Sequence, residues 1–598
     1  MPDRRRPPRR VVQPPKRGRR WILIGAGAIV LGMILWLGRE IVIARGALQE
    51  ASGQAQRLQR QITDGDTEKA KATLADLKTS TRDARTHTDG PLWSASTVIP
   101  FIGNSVDAVT AVSRSLDVIA QRGLPPVVEV SSSLGADVFK PRNGRFDVAN
   151  LQELAPSVTA ASEVLTAERA KIERIEIGDL VGPVKDQVSD LKVKISDAEQ
   201  AASAGARAMR LAPPMLGADG KRKYLLLFQN NAEARSTGGL PGAWAILGAD
   251  DGELSLDRQG SIGDVRKFPK PVVKLTKEEK AQYGDLMATH LSDVNFTPDF
   301  TRSAEIARVM IDRRIGTEVD GVISVDPVAL QYLLKATGPV KVGGGMTLNG
   351  MNAVDILLNR VYKRFSESRA QDAFFAVAAR RVFRAVTTGK GDSRRMVKQL
   401  SKASSEHRLL LWSSVDEEQA SLAQTRLSGI LSGAESSRPH LGFYYTDATQ
   451  SKMQYYLNAR TTAKSLGCSA DGTQTIRMST TLESTAPTEP GKLPPSVTGR
   501  RSRIPQGSML LSARFFGPAG GTFTEFRVNG KSQPVSGLEY YGRAVNIESF
   551  HLKPGQSVRV EATVQTRDDQ RGDAVLNVTP GVRPTENGVR VPSTCDQN

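Results

Sequence analysis

Apolar positions fall into three regimes along this chain, and each predicts a different kind of structure. In the first, Leu48, Ala51, Ala55, Leu58 and Ile62 recur at spacings of three and four. Val109, Val112, Leu116 and Ile119 repeat the pattern, as do Val184, Val188, Leu191, Ile195, Ala198 and Ala202. Such spacings are the seams along which helices pack. Gly65-Asp66 separates the first seam from the next, with Asp66 as an N-cap. Asn104 is expected to cap the second seam, and Gly182-Pro183 to open the third with proline in the first turn. A helical stalk or bundle over residues 39–210 follows.

From about Lys221 the period changes, and strands alternate with helices. Tyr224 to Phe228 and Ala243 to Leu247 predict buried strands on either side of a polar, glycine-rich run, Asn230-Asn231-Ala232-Glu233-Ala234-Arg235-Ser236-Thr237-Gly238-Gly239. A helix with Ala304, Ala307 and Ile311 on one face precedes a strand at Val319 to Val325. Asp326-Pro327 then caps and opens a helix that should end near Gly338-Pro339. Strand, helix and strand in this order argue for an α/β or α+β core over 211–464.

The third regime is period-two alternation at Gln474 to Thr481, Ser508 to Phe516 and Ser557 to Val564. Asn529-Gly530 after Glu525-Phe526-Arg527-Val528 is a strong hairpin signal, while Thr485 to Gly499, with four prolines, predicts a loop. An immunoglobulin-like β-sandwich over 465–598 is expected. The fold class is therefore α+β multidomain.

The N-terminus adds a compartment. Residues 1–20 hold nine Lys or Arg against Asp3, and Trp21 to Gly38 is an uncharged run of eighteen residues. At about 1.5 Å per residue such a run is long enough to cross a bilayer core. The basic arm stays in the cytoplasm and the bulk of the chain lies outside, making a single-pass plasma-membrane protein. A cleaved signal peptide is disfavoured because its apolar region is shorter and a small-residue cleavage site should follow. Of the formal net charge of +18, the first 20 residues account for +8 and the rest of the chain for about +10. The basic cluster is read as pairing with anionic membrane lipids, not nucleic acid.

Candidate chemistry lies in two constellations. In the first, Gly238 and Gly239 can aim successive N–H groups at one point as an anion nest, with Arg235 adding charge and Asn231 and Thr237 adding polar contacts. Glu233 pairs with Arg235 or, jointly with Asp264, holds a divalent cation. The alternative is a corner in which the asparagines satisfy backbone groups and the glycines turn the chain. In the second constellation, Asn349-Gly350-Met351-Asn352 starts a helix carrying Arg360, Lys363 and Arg364, with Arg380 on the helix that follows. Converging guanidinium groups suit phosphate or pyrophosphate; a solvated basic face is the competing reading. Cys468 and Cys595 belong to no C-x-x-C pair, so no metal site is predicted; they close one disulfide or remain two thiols. The five histidines are scattered, and no G-x-S-x-G elbow, Walker loop or H-E-x-x-H occurs. No cofactor is identified.

The runs NNAEARSTGGLPGAW, DVNFTPDFTRSAEIA, VDGVISVDPVALQYLLKATGPVKV and SKMQYYLNA, with GPLWSASTVIPFIGN in the stalk, are similar to a numbered domain-of-unknown-function family (four-thousand-and-twelve) of bacterial single-pass envelope proteins. The VDGVISVD and GPVKV block, followed by LNGMNAVDILLNRVYKR, also resembles the core of the LytR-CpsA-Psr transferases, which attach glycopolymers from polyprenyl pyrophosphate carriers to the wall. That resemblance implies phosphate contacts for Arg360 and Arg364, with Arg235 and Asp264 across the pocket. This chain has Gly338-Pro339-Val340 where the transferases have paired glycines, and Asn359-Arg360-Val361-Tyr362 in place of their tyrosine and R-x-R.

Two functional classes are set against each other: a core that binds phosphate-containing or lipid-linked envelope glycans, and a noncatalytic scaffold for other envelope proteins. Convergence of Arg235, Asp264, Arg360 and Arg364 in one cleft favours the first, and their separation the second.

Overall fold

The computed structural model describes residues 17–100, 102–133, 140–142, 144–431, 438–499 and 504–595. The chain forms two compact units, one of residues 1–135 with 153–209 and one of 136–152 with 210–598.

The first unit is helical. Its helices are α1 (Arg17–Asp64), α2 (Thr67–Thr88), α3 (Pro91–Ala95), α4 (Gly103–Val118), α5 (Leu124–Ser133), α6 (Val148–Glu173) and α7 (Gly182–Met215); the first residues of α6 and the last of α7 belong to the second unit. Most seam positions lie in its core: Ala51 and Leu58 pack with Leu74 and Leu77 in one cluster, and Val112 and Val188 with Leu180 in another, whereas Ala55 and Ala198 are exposed. Two caps differ from expectation. Asp66 precedes α2 but accepts from the Lys69 ammonium and not from a backbone N–H. Asn104 lies inside the first turn of α4, whose N-cap is Ile102. The expected arm at 1–20 lies outside the described residues except for its last four, which begin α1. Trp21 to Gly38 continues α1, with nearly all its side chains outside the described set. Among the described residues no helix is long and apolar enough to cross a membrane.

The second unit is a mixed α+β assembly of several sheets. Its first sheet has the order β3-β2-β1-β4-β7, with β1 (Arg222–Arg235), β2 (Gly238–Asp250), β3 (Glu253–Ser261), β4 (Gly321–Val325) and β7 (Leu409–Ser413). The run Tyr224 to Phe228 is apolar because β1 lies between antiparallel β2 and parallel β4. Helix α8 (Phe300–Ile315) is capped by the Asp299 side chain and ended by Gly316 at φ 67°. It buries Ala304, Ala307 and Ile311 in the core of this sheet. Asp326 and Pro327 start α9 (Pro327–Thr337) as the sequence indicates, the Asp326 carboxylate accepting from Ala329 N–H. A short pair, β5 (Val340–Gly343) and β6 (Met346–Leu348), leads into a helical segment at 353–364, here α10, which widens to a π turn at Ile356–Arg360. Helices α11 (Ser368–Thr387) and α12 (Ser393–Ser405) follow.

Two further sheets close around one apolar core. One has the order β13-β12-β16-β10-β9 and the other β14-β15-β11-β8-β17-β18. Their strands are β8 (His440–Asp447), β9 (Leu457–Cys468), β10 (Gln474–Ser484), β11 (Met509–Ala519), β12 (Thr522–Val528), β13 (Lys531–Ser532), β14 (Leu538–Tyr540), β15 (Arg543–Leu552), β16 (Ser557–Gln565), β17 (Ala574–Val578) and β18 (Val589–Val591). Strands β8 and most of β9 precede residue 465. Alternation along β8 and β11 serves two cores. Phe443, Tyr445, Leu511 and Phe515 face the five-stranded partner, while Tyr444 and Phe516 join the core of the first sheet. Asn529 and Gly530 both take positive φ, 49° and 79°, in the β12–β13 hairpin. Cys468 and Cys595 form a disulfide at the end of β9.

Candidate functional site

The polar run of the first constellation is not a loop between strands. It belongs to the strands themselves, which continue through it as a long hairpin, with register shifts at Phe228/Gln229 and Asn230/Ala234. The shifts turn polar side chains inward. Asn231 Nδ2 donates to Asp326 Oδ2 at 3.0 Å and to the Pro580 carbonyl at 2.9 Å. Asp326 also accepts from Arg408 Nη1 at 2.7 Å, and Arg408 Nε donates to Glu406, which accepts from Tyr332. Arg408 further donates to the carbonyls of Gly581 and Arg583. Hairpin, α9, β7 and the segment after β17 are thus tied by one buried network. Burial raises the Asp326 carboxyl, against the pull of Arg408, the Ala329 N–H and Asn231.

The other residues of this constellation are committed in the same way. Arg235 is 5% exposed. It donates to Asp293 Oδ1 at 3.1 Å and lies 4.9 Å over the Phe296 ring. The expected nest has a protein occupant, since Gly239 N–H donates to Gln229 Oε1 at 2.7 Å. Both glycines are needed for close approach. A Cβ on Gly238 would meet Gln229 Oε1 at 2.4 Å, and one on Gly239 the Asn230 carbonyl carbon at 2.3 Å. Glu233 pairs with Lys452 at 2.6 Å and accepts from Asn230, not from Arg235. Thr237 lines a cavity of about 20 Å3, room for one water, with His407 and Tyr444.

The second constellation stands in solvent. Arg360 Nε donates to Asp355 at 2.5 Å. Burial pushes the Asp355 carboxyl up, but hydrogen bonds from Asn359, Tyr455 and Arg360 outweigh it and hold it below the usual range. Lys363 lies 6.0 Å over Tyr456, Arg364 lies 5.9 Å over Phe365, and both are exposed. Residues 360–402 carry twelve Lys or Arg against Glu367, Asp372 and Asp392, a net +9, almost the whole excess of the chain beyond its first 20 residues. Arg380, Arg381 and Arg384 of α11 and Arg394, Arg395 and Lys398 of α12 are all exposed.

Arg380 leads to a cleft. Its Nη1 donates to Gln259 Oε1 at 3.0 Å on the edge strand β3. Gln259 in turn lines a cleft of about 460 Å3 with Arg258, Arg266, Arg314, Asp264 and Trp244. Two of the guanidinium groups are held in place. Arg258 lies 5.8 Å over Trp244 and donates to the Ile315 carbonyl. Arg314 lies 4.3 Å over Phe268 and donates to the carbonyls of Arg266 and Lys267. Asp264 closes a capping box with Ser261, accepting its N–H at 2.7 Å. Burial, offset by a hydrogen bond from Ser261, and the like charge of Asp264 raise the Asp372 carboxyl on α11. Gly260 leaves space for this wall, since a Cβ there would meet Trp244 at 2.3 Å and Asp264 at 2.7 Å.

Asp264 and Gln259 line one cleft and Arg380 bonds Gln259 at its edge, whereas Arg235 is sealed elsewhere and Arg360 has Asp355. Arg258, Arg266 and Arg314 were not singled out from sequence. They are spread over more than fifty residues and share no local pattern. Glu233 and Asp264, expected to share a divalent cation, have separate partners, and no group of three or more His, Cys, Asp or Glu that could hold a metal occurs among the described residues.

Fold and cleft define a multidomain α+β protein with a preorganised basic edge. Residues 219–362 match the family model described as "Protein of unknown function (DUF4012)", about a quarter of the chain. The match runs from the start of β1 to Tyr362 in α10, so it contains the hairpin and the cleft but not α11 or α12. No curated protein matches the chain.

Proposed function

We propose that this is a membrane-anchored, extracytoplasmic envelope protein whose second unit binds a phosphate-containing or lipid-linked envelope glycan in the cleft beside β3. The observation that carries this is the set of three guanidinium groups around one cleft, two of them fixed by rings and backbone carbonyls. Arginine forks fixed in advance lose little side-chain entropy on gripping a phosphate and do so bidentately. Asp264 and Gln259 supply acceptors for sugar hydroxyls. The exposed basic helices α11 and α12 extend the positive field from the cleft, which raises the local concentration of a polyanion. The apolar run Trp21 to Gly38 supports the anchor, and the resemblance of the 320–364 block to LytR-CpsA-Psr transferases supports a lipid-linked substrate by analogy. The two-sheet C-terminal module is read as immunoglobulin-like, a spacer or docking element.

A second reading, a noncatalytic scaffold for envelope proteins, is favoured by the burial of Arg235 away from Arg360, which removes the four-residue pyrophosphate pocket suggested by the resemblance. A binding experiment separates the two readings. Full-length protein in detergent is titrated with a poly(glycerol phosphate) glycan and with neutral dextran, alongside the double variant Arg258→Gln/Arg314→Gln. The expected outcome is binding of the phosphate polymer alone, weakened by salt and lowered about tenfold or more in the variant, roughly the loss of one or two charge-assisted contacts. Equal affinity of the variant and the native protein removes the cleft from the reading, and no binding of either polymer leaves the scaffold.

A further inference from the structure

The helical unit carries a second feature, at one end of its bundle. After the turn at Gly65, α2 runs back along α1, and near its end His87 bonds Glu40 of α1. Thr88 therefore sits about level with residue 40, only two residues, or about 3 Å of helix, beyond the apolar run that ends at Gly38. Helix α4 reverses direction again beside α2. Thr110 Oγ1 donates to the Thr88 carbonyl, Arg85 pairs with Asp117, and Gln121 donates to the Lys78 carbonyl. Gly103, seven residues before Thr110, then projects about 10 Å past Thr88 toward the side from which α1 comes. The connection between α2 and α4 is the end of the bundle nearest the apolar run.

That connection has an unusual composition. From Gly90 to Val106 there is no charged residue, in a unit whose helices are otherwise dense with Lys, Arg, Asp and Glu. It exposes Leu92 at 47%, Val98 at 83% and Ile99 at 41%. Val42, on α1 just past the apolar run, is 70% exposed, and Val181, whose N–H donates to Ser105, is 37% exposed. Among the described residues these are five of the six exposed large hydrophobic side chains of the helical unit. The sixth, Val193, lies a further three turns along α7. Charges border this tip instead of entering it: Arg114 and Arg85 bond Asp89, and Asp179 accepts from Asn104.

We propose that this tip is an interfacial membrane-docking surface, with Leu92, Val98 and Ile99 inserted into the lipid bilayer that holds the N-terminal anchor. The inference rests on the membrane-anchored reading above and adds a second point of attachment. The occupant follows from position, because the tip is continuous along α1 with the apolar run and lies at its depth. A clustered apolar surface rimmed by charge is costly in water and is stabilised at the headgroup–acyl boundary, where apolar side chains enter by about 5–10 Å. Attachment at two points restrains the bundle against tilting about a single helix.

The test uses the native pairing of the only two cysteines, Cys468 and Cys595, which leaves an introduced thiol as the sole labelling site. Full-length Val98→Cys and, as a control, Val193→Cys are labelled with an environment-sensitive fluorophore and reconstituted into liposomes containing nitroxide lipids. The expected result is a blue-shifted Val98 probe, quenched by shallow nitroxides and several-fold less accessible to aqueous iodide than the Val193 probe. If the protein floats with the liposomes but both probes are equally open to iodide, the docking surface is overturned while the anchor stands. Shielding from iodide without any nitroxide quenching overturns it in favour of a protein contact. If the chain does not float with liposomes, anchor and docking surface fall together.

Discussion

The hairpin tip at 229–239 and the basic helices at 360–402 are both dense in polar residues, yet they have opposite fates. In the tip, Asn231, Arg235 and Thr237 are at most 6% exposed; the Asn231 amide and the Arg235 guanidinium donate to protein acceptors, while Thr237 Oγ1 is buried without a partner among the described residues. On α11 and α12 the guanidinium and ammonium groups face solvent. Polar density alone therefore does not mark a ligand site. What separates the cases is where the charges are neutralised. Arg235 of the tip pairs with Asp293, and Arg408, joined to the tip through Asp326, pairs with Asp326 and Glu406, whereas residues 360–402 have three acids for twelve bases. Asp355 and Glu406 pair with Arg360 and Lys402 at the two ends of the segment, but most of its positive excess remains at the surface.

The sharpest way to break the comparison is to cut the buried network. Arg408→Ala leaves Asp326 and Glu406 without their cation and frees two backbone carbonyls. Removing one partner of a buried ion pair costs about 3–5 kcal/mol, so the denaturant midpoint should fall by far more than for any surface arginine. Urea unfolding followed by tryptophan fluorescence checks it. A loss under about 1 kcal/mol, the scale of an exposed pair, would mean that the network does not hold hairpin and C-terminal module together.

Much of this architecture was legible in the chain. The helical seams, the Asp326-Pro327 start of α9, the strands Tyr224 to Phe228 and Gln474 to Thr481, and the Asn529-Gly530 turn are local signals, and local physics decides them. From sequence the run 229–239 reads as an anion nest or a turning corner, because polar and glycine residues ordinarily favour turns, whereas the two strands continue through it. What overrode that preference is nonlocal: Pro580, 349 residues away, supplies an acceptor that lets Asn231 be buried, and Gly581 and Arg583, 173 and 175 residues from Arg408, do the same for that side chain. The cleft arginines were missed for a related reason, since only the β2–β3 pairing and the end of α8 bring Arg258, Arg266 and Arg314 together.

A smaller effect probes the tip through pH. His407 sits at φ 55° beside the Thr237 cavity, and burial, with Arg426 nearby, lowers its pKa to about 4 from the ordinary 6.5. The unfolded chain binds this proton before the folded one does. His407 therefore contributes stability that is complete above pH 6.5 and is lost as pH falls toward 4. Asparagine tolerates the left-handed backbone, so His407→Asn should flatten the fall in stability across pH 4–6.5 by at most about 1.4 kcal/mol per pH unit, one proton's worth. Parallel denaturation curves at pH 4.5, 5.5 and 7 measure the difference between the two proteins, in which opposing groups such as Asp299, raised by burial to about 6, cancel. An unchanged slope would place His407 in contact with water.

The smallest expected change in stability belongs to the basic helices, and there it is informative. Arg380, Arg381 and Arg384 are exposed, and of their side chains only that of Arg380 has a hydrogen bond described here, to Gln259. Replacing all three by glutamine should move stability by no more than about 0.5 kcal/mol per site, the usual range for surface positions. Removing three charges from a net +9 should weaken binding of the phosphate polymer and make its affinity less sensitive to salt, because fewer screened attractions remain. The two measurements have to diverge for the comparison to hold. A triple variant that unfolds as readily as Arg408→Ala would show these arginines to be structural, and one that keeps both stability and salt-dependent binding would confine recognition to the cleft arginines of β3 and α8.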